Sequence, residues 1–520
     1  MDLKGLLVTF FFHVFLIPNG LCENILFFHP VSTYSHRISV WPLVQKLVAK
    51  GHQITFISPY PCKTPLPNVT EIVPEPMSSF VHQYIHGDLD ISRRIDGTMD
   101  LMQDNAPIVA TMTCGMLFES PDIQKWLASD PHYDLVVVDW FMSDCALGLA
   151  YKFKAKTMYY AASCLTPLYY ELFGFVPDTA SVPEFEYHFS SPMSFYERFV
   201  TTVQPLVWTR KMGVSYDAVT DTLREKLNIP AMPHVKELAK NTSLFLLGEY
   251  VLDGYPQPLP PNIIRVGGMH CNEKINPLPK DLAEFVKGSS EGFVYISLGS
   301  GVNPNNLPQH FQDMFFNSIK KLTHIQFIWK WSGYKKTDLP KNLHIGEWFP
   351  QQDILGHPKL LAFVTQGGRP SIQESICHGA PVIGLPVMAD QDLNSERLRD
   401  IGGAIVLQFA SLTESTFQNA ITEMASSKKY KTRMNQLSKI FHDRPMKPVD
   451  TALWWTEYVL RNENTAHLRS LSTNLTWYQR RSLDVWGTIL LAITASITLL
   501  LYIIMLVLNF FKGGRKVKKE

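Results

Sequence analysis

Five apolar residues, Leu360 to Val364, run without a charge and stop at Thr365-Gln-Gly-Gly368. A run this short and uniform reads as a parallel strand buried on both faces, since an amphipathic element would show polar residues at its own period. Two glycines after it permit a sharp turn. The helix predicted from about Pro370 and Ser371 then presents free backbone N–H groups and the positive end of its dipole at the strand's end. Glu374, about one turn into that helix, can accept hydrogen bonds from vicinal hydroxyls. A second apolar run, Val382 to Leu385, predicts a neighbouring strand, and its end delivers Asp390-Gln391 beside the same crevice. Strands that feed helices in this way require an α/β layer.

The same alternation recurs along the chain. In the first half Ile25 to Phe28 is a strand, followed by a polar loop from His29 to Arg37. Val40, Trp41, Val44, Leu47 and Val48 recur at helical spacing until Gly51. Ile54 to Ile57, Leu135 to Val138 and a stretch near Thr157 to Tyr160 read as strands, with a helix from about Asp144 to Phe153. From Tyr159 to Trp208 the pattern loosens into an aromatic-rich stretch containing Tyr169, Tyr170, Phe173, Phe175, Phe185, Tyr187 and Phe195. Such residues pack a core, wall a pocket or touch a membrane surface. Tyr255-Pro-Gln-Pro-Leu-Pro-Pro261, with Pro277 and Pro279, reads as a linker. Alternation then resumes with strands at Phe293 to Leu298, Ile325 to Trp329 and near Ile345, and a helix around Phe311 to Leu322. Asp443 to Arg461 closes the sequence of elements as a helix.

Both ends are specialised. Lys4 precedes the apolar run Leu6 to Pro18, and Gly20-Leu-Cys22 offers a small-residue cleavage site, the pattern of a secretory signal. Val485 to Phe511 holds no charge and is long enough to span a bilayer. Lys512, Arg515, Lys516, Lys518 and Lys519 follow it, which the positive-inside rule places in the cytosol. The expected topology is therefore single-pass type I with the mass of the chain lumenal. Lys516-Val-Lys-Lys-Glu520 resembles a retrieval signal for the endoplasmic reticulum and equally an ordinary basic flank. Asn68, Asn241 and Asn474 lie in N-x-S/T sequons. Over 520 residues the formal net charge is +1, so no basic surface argues for nucleic acid. Six cysteines beyond Cys22 are scattered without a C-x-x-C pair, which argues against zinc. The Asp88-Leu-Asp90 triplet matches a metal motif over three residues only, so no metal is expected.

Donor chemistry is readable across the second half. Trp348-Phe-Pro-Gln351 places an indole where it can stack on a nucleobase, unless it is core. Ser300 lies in the turn Ser297-Leu-Gly-Ser-Gly301, where a hydroxyl and amides meet phosphate or simply turn the chain. Lys330 closes a strand with a charge. Phosphate donors, a diol acceptor and a second polyol reader describe a nucleotide-sugar site.

Taken with Gln352-Asp-Ile-Leu-Gly-His-Pro358, Pro381 and Pro386, these spacings resemble the signature of the UDP-glycosyltransferase family, whose animal members include UDP-glucuronosyltransferases. The resemblance implies two facing Rossmann-like domains, the GT-B fold, with a carboxyl-terminal transmembrane helix. It assigns donor contacts to Ser300, Lys330, Trp348, Gln351, Gln366, Gly367, Gly368, Ser371, Glu374, Asp390 and Gln391. Gln366 stands where most members carry histidine, and Pro370 replaces a commonly polar residue. The division implied is 1–22 signal, 23–254 acceptor domain, 255–280 linker, 281–440 UDP-sugar domain, 441–484 closing helices and juxtamembrane segment, 485–511 spanning helix and 512–520 tail.

A hydroxyl acceptor needs a base. His36, in Tyr34-Ser-His36, occupies the family's catalytic position, and imidazole titrates near pH ~6.5. Asp139, at the end of Leu135 to Val138, matches the orienting carboxylate, with Asp144 as the alternative, otherwise an N-cap. The reaction implied is a single inverting displacement by a lipophilic hydroxyl at the sugar's anomeric carbon, UDP being a co-substrate's product and no cofactor being needed. The segment Arg444 to Arg461 looks most like invertebrate members, which points to UDP-glucose ahead of UDP-glucuronic acid. A non-catalytic member that binds partners or lipophiles, and a membrane-lipid galactosyltransferase, are the rival readings. The oligomeric state stays open.

Overall fold

The computed structural model describes residues 22–83, 91–97, 102–334 and 339–514. Residues 1–21 of the segment expected as a signal, Asp88-Leu-Asp90 and the tail from 515 lie outside the described residues. Among the described residues, thirteen strands form two sheets. The first holds β1 (Asn24–Phe28), β2 (Gln53–Ile57), β3 (Val69–Ile72), β4 (Leu135–Asp139), β5 (Lys156–Ala161), β6 (Leu244–Leu247) and β7 (Ile263–Arg265), in the order β3-β2-β1-β4-β5-β6-β7. The second holds β8 (Gly292–Ser297), β9 (Ile325–Lys330), β10 (Leu343–Gly346), β11 (Leu360–Thr365), β12 (Val382–Gly384) and β13 (Ala404–Val406), in the order β10-β9-β8-β11-β12-β13. Every pairing is parallel.

Both faces of each sheet are covered, as uniform apolar strands require. On β1, Ile25 and Phe27 face a cluster that includes Val40, Leu43 and Leu47. Leu26 and Phe28 face the opposite cluster with Leu147, Leu149 and Phe153. On β8, Phe293 and Tyr295 pack with Ile372 and Ile376, whereas Val294 and Ile296 pack with Phe315 and Ile319. Each sheet therefore sits between helical layers, and in each the strand order reverses direction once. The reversal falls between β1 and β4, and between β8 and β11. Ligand crevices open at such points, beyond the carboxyl ends of the strands.

Several expectations need correction. The helix after β1 spans Tyr34–Ala49, so His36 lies in its first turn and not in a loop. Thr33, in extended conformation, is its N-cap, and the His36 amide already donates to the Thr33 carbonyl at 3.1 Å. The segment expected as a linker contains β7, which pairs with β6 and completes the first sheet. The closing helix begins at Pro448, not near 443, because the preceding helix runs to His442 and proline suits the first turn of the next. Its Ala452, Leu453 and Val459 join the Val40–Leu43 cluster of the first sheet. Lys156 Nζ caps its end, donating to the carbonyls of Val459, Leu460 and Asn462 at 2.9, 3.0 and 2.7 Å. Most of the aromatic stretch is core: Tyr169, Tyr170, Phe173 and Phe185 are buried in one cluster, while Phe195 is exposed at the start of helix Phe195–Lys226.

The helix Leu483–Gly514 carries an apolar span from Leu483 to Lys512, none of it buried against the rest of the chain. By length and composition this helix suits a bilayer crossing. Arg480 and Arg481, just before it, ion-pair with Glu171 at 2.8 and 3.3 Å, tying the segment that leads into this helix to the first half.

Candidate active site

At the first reversal point, Phe28 pairs with Val138, so the next residues along each strand, His29 and Asp139, come side by side. Asp139 is fully buried. Its Oδ2 lies 3.1 Å from His36 Nδ1 and also takes a hydrogen bond from the Ser32 hydroxyl. Burial pushes the Asp139 carboxyl upward. The charge and hydrogen bond of His36, helped by His29 and Ser32, more than offset this and leave it below the usual carboxylate range. His29 Nδ1 stands 4.0 Å from the same oxygen, but burial drives its imidazole down to about 4, so it stays neutral near pH 7. The His36 side chain keeps 14% exposure, which leaves an imidazole edge open to the cleft.

Asp144, the alternative partner, is placed elsewhere. It is buried, its Oδ1 accepts the Tyr159 hydroxyl at 2.6 Å, and burial raises its carboxyl to about 6 despite that bond. The turn at Met142, with φ of +49°, separates the two aspartates in direction.

The second reversal point carries the glycine block. Thr365 pairs with Ser297, which sets Gln366-Gly-Gly368 beside the turn Gly299-Ser-Gly301. Gly367 has φ of +87°, and a side chain there would run into the Ser395 hydroxyl and the Gln391 carbonyl. Glycine thus lets helix Gln391–Asp400 approach the loop. Gly368 is the N-cap of helix Arg369–Cys377, so the expected start near Pro370 holds to within a residue. Gln366 lies against Gly299, where a Cβ would meet its amide. Ser300 is half-buried in the turn, and Lys330 Nζ donates to the Gly299 carbonyl at 3.1 Å.

Gln351 braces the start of the helix. Its Nε2 donates to Glu374 Oε2 at 2.6 Å and to Ser371 Oγ at 3.2 Å. Burial raises the Glu374 carboxyl, with His270, Gln351 and Gln352 opposing. Trp348 is 54% exposed, so its ring face can take a base. The ammonium groups of Lys63 and Lys330 each lie 4.6 Å from its centroid. Tyr34, two residues before His36, meets the same ring edge-on at 5.8 Å.

Asp390 is delivered by Ala389, whose φ is +53°. Its Oδ2 accepts the Ser163 hydroxyl and lies 3.7 Å from Arg369 Nε. Gln391 uses its amide oxygen to accept from the Val387 and Met388 backbones at 2.9 and 3.0 Å, and its nitrogen makes no hydrogen bond among the described residues. The structure thus brings His36 and Asp139 to one wall, and Ser300, Lys330, Trp348, Gln351, Gln366, Gly367, Gly368, Ser371, Glu374, Asp390 and Gln391 to the other. Tyr34, Lys63, Ser163 and Arg369, not singled out in the sequence, join the two. Only the odd arginine directly after Gly-Gly was a visible signal. The sequon residues Asn68, Asn241 and Asn474 are all exposed, and Asn241 Oδ1 accepts from Arg469 at 2.9 Å.

Two parallel sheets whose reversal points carry a histidine–aspartate pair on one side and a glycine-bounded helix start on the other define a nucleotide-sugar transferase of the GT-B class. Solved structures share this fold. A UDP-glucosyltransferase from Polygonum tinctorium, solved in a complex with 3,4-dichloroaniline, superposes with a TM-score of 0.56 at 16% identity, over 85% of this chain and 99% of its own. The glycotransferase of kitacinnamycin gives 0.54 at 17% identity over 84% of this chain and 98% of its own. The family model described as "UDP-glucoronosyl and UDP-glucosyl transferase" matches residues 25–519. UDP-glucosyltransferase 2 of Dactylopius coccus is 29% identical over 100% of this chain and 99% of its own length. UDP-glucuronosyltransferase 1A3 of Rattus norvegicus is 28% identical over 90% of this chain and 88% of its own. The chain belongs to the UDP-glycosyltransferase family and is a hexosyltransferase that uses a UDP-sugar.

Proposed function

We propose that this enzyme transfers a neutral hexose, foremost glucose, from its UDP conjugate to a hydroxyl of a small lipophilic acceptor, with inversion at the anomeric carbon. The observation that carries this reading is the 3.1 Å contact between His36 Nδ1 and the dry Asp139 carboxylate at the first reversal point. A carboxylate on Nδ1 fixes that nitrogen as the N–H tautomer and leaves Nε2 basic. Nε2 takes the acceptor proton as oxygen attacks, and Asp139 stabilises the imidazolium that forms. Trp348 stacks on uracil, Glu374 holds the ribose, and Ser300, Gln366, Ser371 and the amides after Gly367 and Gly368 receive the diphosphate. Amides and helix dipole stabilise the charge that grows on departing UDP, so the chemistry asks for no metal. Asp390 and the free amide nitrogen of Gln391 read the sugar's hydroxyls. Full-length similarity to an insect UDP-glucosyltransferase supports glucose. UDP-glucuronic acid by the same mechanism is the alternative, supported by the rat relative.

A panel of UDP-sugars offered with a phenolic acceptor, followed by NMR of the product, tests this. An inverted glucoside as main product is expected, and retention of configuration refutes the single displacement. The same reading makes the enzyme a signal-bearing, glycosylated, type I protein of the endoplasmic reticulum, with catalytic domains lumenal and a role in conjugating lipophiles. Exposed sequons and an unpacked apolar helix followed by basic residues support that orientation. In intact microsomes the catalytic half should resist protease and shift in mobility on deglycosylation. Digestion without detergent overturns the topology.

A further inference from the structure

Asp390 occupies the N-cap position of helix Gln391–Asp400 without making a side-chain cap. An aspartate there would normally bond the helix's free amides. Here its Oδ2 takes the Ser163 hydroxyl, from the segment after β5 in the other sheet, and lies 3.7 Å from Arg369 Nε. The partner on that second side is rigid. Arg369 is 1% exposed and donates through Nη1 to the Asp253 carbonyl at 2.8 Å and to Asp253 Oδ2 at 3.0 Å, with Glu249 Oε2 at 3.8 Å. One turn on, Gln373 donates to the same Asp253 oxygen at 2.8 Å and to the Gly248 carbonyl at 2.7 Å. Arg369 Nε and Nη2 are buried without a hydrogen-bond partner among the described residues. A guanidinium held this way can act on Asp390 only through its charge.

The charges also constrain the ligand. Arg369 faces three carboxylates, Glu249, Asp253 and Asp390; Arg265 lies 3.4 Å from Glu249, and the charge of Arg444 also acts on Asp253. These guanidiniums are already matched by the carboxylates around them, which suits the hydroxyls of an uncharged sugar and leaves no spare counter-charge for a sugar carboxylate. Burying another carboxylate without a cation is costly.

We propose that Ser163 and Arg369 are positioning residues for donor-sugar recognition. From opposite sides of the cleft they pin one oxygen of Asp390 and leave the other to accept from a hydroxyl of a neutral hexose. The sugar reader is therefore complete only when the two sheets are closed on each other, and a residue of the acceptor half takes part in donor choice. This rests on the reading of Asp390 as a sugar contact, so the experiment separates the two.

The affinity of UDP-glucose and of UDP is measured by calorimetry on the full-length chain in detergent, with KM and kcat taken beside them. Variants are Ser163→Ala, Ser163→Thr, Arg369→Lys and Asp390→Asn. Losing one hydrogen bond to a charged group corresponds to about a tenfold effect. Ser163→Ala should weaken UDP-glucose about tenfold and raise its KM, leave UDP within twofold, and change kcat less than KM; Ser163→Thr, which keeps the hydroxyl, should restore affinity, and Arg369→Lys, which keeps the charge, should show the same selectivity with a smaller loss than Ser163→Ala. Equal weakening of UDP and UDP-glucose in Ser163→Ala would mean a general structural role and overturns the proposal. So does Asp390→Asn losing the sugar's contribution while Ser163→Ala keeps it. If Asp390→Asn itself leaves that contribution intact, the sugar-reading role of Asp390 fails, and with it the present inference. Should Arg369→Lys fold poorly, Ser163→Ala decides alone.

Discussion

Replacing Asp139 by asparagine keeps the side chain's shape and removes its charge. The carboxylate stands 3.1 Å from His36 Nδ1. At that separation, with an effective dielectric of about 20, an imidazolium–carboxylate pair is worth roughly 5 kcal/mol. If half is offset by keeping Asp139 dry, about 2.5 kcal/mol remains, so the loss in kcat should lie between about a hundredfold and about ten-thousandfold. Asparagine can also donate to Nδ1 and so select the wrong imidazole tautomer, which pushes toward the larger loss. Asp139 belongs to the first sheet and the residues proposed to hold the donor belong to the second half, so KM for UDP-glucose should stay within threefold. Steady-state UDP release with a saturating phenol, with kcat and KM taken separately, measures both. A variant that keeps kcat within threefold of wild type refutes the orienting role of Asp139. Loss of kcat together with loss of UDP affinity would instead mean that the first sheet had been disturbed as a whole.

Asp144→Asn should leave kcat nearly unchanged and alter the pH dependence of stability. A buried carboxyl raised from 3.8 to about 6 favours the folded state below pH 3.8 and loses that contribution, about 3 kcal/mol, as pH rises through about 6. Unfolding midpoints of wild type relative to the asparagine variant should therefore fall between pH 4 and 7, and a constant difference contradicts the assignment. Gly367→Ala combines a strained φ of +87° with a clash against Ser395, and about 1–3 kcal/mol of destabilisation or a displaced donor loop is expected. Urea unfolding and UDP affinity check it, and an unchanged protein sinks the argument. Trp348→Ala removes a stacking face worth about 1–3 kcal/mol, so UDP should bind about 5- to 150-fold more weakly while the unfolding midpoint holds. Calorimetric titration with UDP decides, and unchanged affinity rules out stacking.

Strands β1, β4, β8 and β11 were legible because each is a continuous apolar run buried on both faces. β3 escaped because Val69-Thr-Glu-Ile72 is a half-exposed edge strand, and β7 and β13 because three residues carry no period. Helix Phe195–Lys226 was hidden for another reason. Its buried face mixes Thr201, Pro205, Trp208, Met212 and Ser215, while Phe195, Tyr196 and Phe199 lie exposed. The glycine block could be read locally, since strand, turn and helix are consecutive. Choosing between Asp139 and Asp144, five positions apart, depended on the direction of one turn. Ser163 and Asp390 meet across 227 residues, a proximity that only the closed pair of sheets creates.

The most direct test of the account is the turnover of UDP-glucose with a lipophilic phenol by the wild-type chain and by His36→Ala, with UDP affinity measured on both. The account predicts glucoside formation by wild type, at least a hundredfold lower kcat in the variant, and UDP affinity unchanged between them. Absence of transfer by wild type from any UDP-hexose, or equal turnover by the two proteins, would contradict it.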